Sequence, residues 1–114
     1  MATAVAMERP LFRRPPSDGP LAARLAENVP RLPMAAPILV AQGLADTLVL
    51  PDVQERFVLA RCAAGQTIDY RTYVARDHLS LLADHSPMVG DLIAWTRERF
   101  AGAPGVGACR TVAR

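Results

Sequence analysis

At 114 residues and 12.3 kDa, the chain has room for one domain at most. Apolar residues make up 51% and charged residues 21%, a globular composition and not a disordered one. All 13 basic residues are arginines, set against 11 acids for a net charge of +2; they are spread along the chain and mark no nucleic-acid surface, and no apolar run nears the roughly 20 residues of a membrane span.

The opening MATAVAMERPLF has no charged region leading into an apolar stretch, so no signal peptide is visible. Residues 1–36 read as an irregular, proline-rich lead-in. Seven of the ten prolines fall by position 37, and each removes a backbone donor and pushes its predecessor towards extended geometry. One short helix fits over 21–29. The pattern changes at Pro37. Ile38-Leu39-Val40-Ala41, ending in Gln42-Gly43, reads as a strand buried on both faces of a parallel sheet. Pro51 and Asp52 open a helix whose residues Val53, Phe57, Ala60 and Ala64 share one face, and Gly65 suits its C-terminal cap. Thr67 to Tyr73 alternates and is rich in β-branched and aromatic residues, the mark of a second strand. A second helix follows Pro87, with Val89, Leu92, Ile93, Thr96 and Phe100 on one face and Gly102 at its end. Trp95 reads as core packing, and the Arg97–Arg99 pair as a solvated face. Residues 104–114 read as an irregular tail. Two consecutive β–α units with parallel strands over 37–103 predict the α/β class. Two strands leave two open sheet edges, so the chain is expected to self-associate or to lean on a partner.

In open parallel sheets, working groups collect beyond the carboxyl ends of the strands. Asp46 follows the first strand and His78 the second. With neighbouring strands about 4.8 Å apart, the two loops can bring a carboxylate to an imidazole. Such a pair activates a nucleophile: the acid fixes the histidine tautomer and stabilises the imidazolium. From pattern alone, Asp46 reads equally as a cap or turn residue and His78 as a capping or surface residue. Asp77 competes for His78, but the side chain of an adjacent residue points elsewhere. His85 is a rival base and reads as a capping residue; His78, Asp84 and His85 lack the spacing of a metal site. No cofactor is implied. Cys62 and Cys109 allow one disulfide or two thiols.

Several segments occur in a telling order. They are Pro37-Ile-Leu-Val-Ala-Gln-Gly-Leu-Ala-Asp46, Arg61-Cys-Ala-Ala-Gly65, Tyr70-Arg-Thr-Tyr73 with Asp77-His78, and Trp95-Thr-Arg-Glu-Arg-Phe-Ala-Gly102 with Cys109 behind it. Together, over about Leu21 to Cys109, they resemble the C-terminal end of secretory lipases, the lipase A-like branch of the α/β-hydrolase fold. The resemblance implies an extracellular serine esterase acting on carboxylic esters such as triacylglycerol-like lipids. Asp46 falls on the triad acid and His78 on the triad base, in the order Ser, Asp, His expected of that fold. It also favours a Cys62–Cys109 disulfide.

The nucleophile is missing. Ser17, Ser80 and Ser86 are the only serines, and none lies in a G-x-S-x-G elbow. The oxyanion-hole segment and the lid are missing too. The expectation is therefore an incomplete α/β-hydrolase that contributes an acid and a base and is inactive alone. The alternative is a non-catalytic α/β remnant or interaction module, or one that completes a site in trans.

Overall fold

The structure is a computed structural model. It describes residues 12–114, so Pro10 and the rest of the opening MATAVAMERPL of the lead-in lie outside the described residues. The chain divides into two units, Met1–Leu32 and Pro33–Arg114.

In the first unit, helix α1 spans Gly19–Glu27. Pro20 sits in its first turn, where a missing N–H leaves no bond unmade, and Pro30 disfavours helical backbone at the residue before it. The helix predicted over 21–29 consequently starts and stops earlier. The Asn28 amide donates to the Arg24 carbonyl at 3.0 Å and closes the end. None of its side chains is buried.

The second unit starts before the predicted Pro37, because a buried glutamine ties down its leading residues. Gln66 accepts from Met34 N–H at 3.0 Å and donates to the carbonyls of Met34 and Ala36. Strand β1 (Ile38–Gly43), helix α2 (Pro51–Ala63), strand β2 (Ile68–Tyr73), helix α3 (Pro87–Phe100) and strand β3 (Arg110–Ala113) follow. The sheet order is β1-β2-β3 and every pairing is parallel, an α/β architecture. Ile38 pairs with Ile68 and Gly43 with Tyr73, so β1 and β2 end at the same level. Pro51 and Pro87 open their helices, the Ser86 hydroxyl accepts from Met88 N–H, and Gly65 and Gly102 take positive φ at the exits.

Side chains alternate across the sheet and feed two small cores. Ile38, Val40, Ile68 and Tyr70 meet Phe57, Val58 and Cys62 of α2. Ala41 and Tyr73 meet Leu81, Met88 and Val89 on the other side. The two helices thus cover opposite faces.

The helix faces and the tail depart from expectation. The inward row of α2 is Phe57, Val58, Arg61 and Cys62, while Val53, Ala60 and Ala64 face solvent. Alanine methyls bury little area, so the larger side chains set the helix rotation. Cys62 packs on the core and is joined to Cys109 across a 47-residue separation, Cα to Cα 5.8 Å. In α3, Met88 is buried but Leu92, Ile93 and Phe100 are exposed, the last at 91%. The helix is instead rotated by Asp91, which accepts from the Tyr73 hydroxyl at 2.9 Å and pairs with Arg71 and Arg114. Trp95 is half-buried under the Arg99 guanidinium, 5.1 Å from the ring centroid, so only Arg97 of the predicted solvated pair is exposed.

The tail, expected to be irregular, contributes β3 to the sheet. Its anchor is Asp69, 1% exposed, which accepts from Arg71 at 2.8 Å and from Arg110 at 2.6 Å. Burial pushes the Asp69 carboxyl up, but the two guanidiniums outweigh it and hold the pKa below the ordinary value. Burial and then the Asp91 carboxylate push the Tyr73 phenol up to about 12. No helix among the described residues is long and apolar enough to cross a membrane.

Candidate active site

The carboxyl ends of β1 and β2 open into two loops, and a close backbone approach couples them. A Cβ on Gly43 would overlap the Arg76 carbonyl oxygen and lie 2.8 Å from its carbon, so only glycine fits. Leu44 N–H donates to the Tyr73 carbonyl and Ala45 N–H to that of Arg76, both at 2.9 Å. The first loop therefore grows out of β1 already registered on the second.

Asp46 sits in this first loop, 6% exposed. Its Oδ1 accepts from Leu48 N–H at 2.8 Å and Val49 N–H at 2.9 Å, an Asx turn that fixes the carboxylate plane. Oδ2 is left for His78 Nδ1, at 2.9 Å. Burial pushes the Asp46 carboxyl up, while the Val49 amide, His78 and the Leu48 amide draw it down, and the lowering wins. An ionised carboxylate only accepts, so Nδ1 carries the shared hydrogen, and in the neutral imidazole Nε2 is the nitrogen with the free lone pair. The His78 side chain is 46% exposed.

The His78 loop is held from its own side. Ala75 takes φ 57°, which turns the chain sharply after β2. Asp77 Oδ1 accepts from Leu79 and Ser80 N–H, and the Ser80 hydroxyl accepts from Asp77 N–H at 2.8 Å. Those bonds, the Ser80 amide foremost, hold the Asp77 carboxyl below its ordinary range. The two candidate acids are thus separated: Asp46 meets the imidazole, and Asp77 builds the turn beneath it. His85 is exposed at φ 65° just before the Ser86 cap. Among the described residues, no three His, Cys, Asp or Glu side chains gather as a metal site.

A cleft of about 370 Å³ adjoins the pair, walled mainly by Leu39, Ala41, Leu81, Met88 and Leu92. An apolar cleft with a few polar groups is the usual setting for a small-molecule site. The arrangement can take a proton at Nε2, stabilise the imidazolium through Asp46, and return the proton. Within the second unit, the Ser80 and Ser86 hydroxyls are both bonded to backbone amides.

Sequence reasoning paired Asp46 with His78 but passed over Gln42, Gly43 and Ser80, which hold the loops in place. A glycine directly after an apolar strand was the available signal for Gly43. Comparison of the chain with protein-family models, with curated proteins and with solved structures finds no match.

Proposed function

We propose that this chain is the acid–base portion of a serine ester hydrolase of α/β-hydrolase type, similar to the C-terminal end of secretory lipases. The carrying observation is the 2.9 Å contact between Asp46 Oδ2 and His78 Nδ1 on the carboxyl rim of adjacent parallel strands. In the reaction, Nε2 of His78 takes the proton of a serine hydroxyl as it attacks the ester carbonyl. Asp46 stabilises the imidazolium, which then protonates the departing alcohol. The serine and the oxyanion hole belong to residues outside these 114. Carboxylic esters with an apolar acyl or alkyl chain are the substrate class, in keeping with the apolar cleft beside the pair. The Cys62–Cys109 disulfide fits an oxidising, extracellular setting. At the open edge of the sheet, Ile38, Leu39, Val40 and Ala41 are only half-buried. That edge is where we place self-association, or pairing with the nucleophile-bearing part.

The test is hydrolysis of a p-nitrophenyl ester by this chain alone and by the chain joined to a segment carrying a G-x-S-x-G elbow. The chain alone is expected to be inactive and the joined protein active. His78→Ala and Asp46→Asn should each lower kcat of the joined protein by about 10⁴-fold. Unchanged turnover in His78→Ala, or turnover by the chain alone that this substitution abolishes, sinks the reading.

A further inference from the structure

We propose that Gln42 is a positioning residue for the Asp46–His78 pair, acting through the backbone of Val49. Gln42 is 3% exposed, at the carboxyl end of β1. Its Nε2 donates to the Gly43 carbonyl at 2.9 Å and to the Val49 carbonyl at 3.1 Å. Those carbonyls stand at opposite ends of the loop that carries Asp46, so one side-chain amide fastens both.

The consequence runs through Val49. Its carbonyl is held by Gln42, and its N–H, at 2.9 Å, is one of the two donors on Asp46 Oδ1. At the near end, the Gly43 carbonyl accepts from Gln42 and also from Asp46 N–H at 3.2 Å. Both the backbone and the carboxylate of Asp46 are therefore referred to Gln42. If Val49 is released, Oδ1 loses a directed donor and the carboxylate is free to turn, taking Oδ2 off Nδ1. The His78 side has its own support in the Asp77–Ser80 turn. Only the acid half of the pair depends on Gln42.

Two carbonyl acceptors also explain the residue type. A carboxamide NH₂ supplies two hydrogens. Methionine keeps much of the length and bulk but donates nothing, and glutamate presents an oxygen to both carbonyls. A side chain that merely filled space would tolerate methionine well.

The test uses the full 114-residue chain and heteronuclear NMR. In the wild type, the His78 Nδ1–H is expected as a hydrogen-bonded signal slow to exchange with water, and the Asp46 carboxyl titrates below ordinary aspartate. In Gln42→Met the Nδ1–H signal is lost to exchange and the Asp46 midpoint rises into the ordinary range, while the β1–β2 amides keep their protection. Gln42→Glu does the same. Retention of the Nδ1–H signal and the low Asp46 midpoint in Gln42→Met overturns the proposal. If both variants unfold, wild-type hydrogen exchange decides: protected Leu48 and Val49 amides support it, and loop-like exchange at both overturns it. The functional meaning of the inference rests on the ester-hydrolase reading, but the two fail separately. A joined enzyme that ignores His78→Ala leaves these NMR results standing, and an indifferent Gln42→Met leaves the hydrolysis result standing. In the joined enzyme, Gln42→Met lowers kcat, because the carboxylate that orients the base is released.

Discussion

Two aspartates of this protein occupy near-equivalent environments by burial and do opposite things. Asp46 and Asp69 are both almost inaccessible, and both carboxyls are held below the ordinary range against the cost of burial. Asp69 achieves this with two guanidiniums, those of Arg71 and Arg110, which neutralise it and lock β3 to β2. Asp46 achieves it with two backbone amides and one imidazole, and that imidazole is half exposed with a nitrogen to spare. The first is a fastening with permanent charges. The second couples a fixed acid to the one side chain whose charge changes near neutral pH. The partner, more than the burial of the acid, decides which aspartate can do chemistry.

The largest effect expected from breaking this contrast is on stability. Asp69→Ala leaves Arg71 buried beside an empty position and should cost about 3–5 kcal/mol, a large share of what a small domain possesses. Asp46→Ala should cost much less, because its donors are loop amides next to solvent. Urea unfolding of the two variants checks this, and equal losses would erase the distinction. Next is the disulfide. Reducing Cys62–Cys109 should remove about 4 kcal/mol in the loop-entropy model for a 47-residue separation. The loss should appear first in hydrogen exchange of 110–113, with the Leu48 and Val49 amides unaffected. The smallest effect is acid sensitivity. A carboxyl depressed in the folded state contributes stability above its unfolded pKa, about 3.9, and the contribution is lost as pH falls through the lower folded value. Unfolding midpoints should therefore be level near neutrality and decline below about pH 4. Asp69→Asn should flatten that decline more than Asp46→Asn.

What was legible in the sequence was local or set by chain order. Pro51 and Pro87 start helices, and Gly65 and Gly102 follow their ends, because each fixes or frees its own φ. The approach of Asp46 to His78 was legible because parallel strands of matched register must end on one rim. Helix rotation was not. Asp91 turns α3 towards Arg71, Tyr73 and Arg114, and no periodicity of apolar residues contains that information. Nor was β3 legible, since a four-residue strand behind a glycine-rich stretch depends on an aspartate 41 positions earlier. Gln42 was hidden for the same kind of reason. A glutamine at a strand end has no signature until the carbonyls it bridges are brought together.

The reliance of Asp69 on Arg110 also bears on synthesis. A ribosome delivers β1 and β2 well before residue 110, so the central strand emerges with its acid matched only by Arg71. During that interval Asp69 has only one of its two guanidinium partners, and the strand that pairs with the far side of β2 is still unmade. The sheet and the second ion pair of Asp69 are therefore completed only when the last strand arrives.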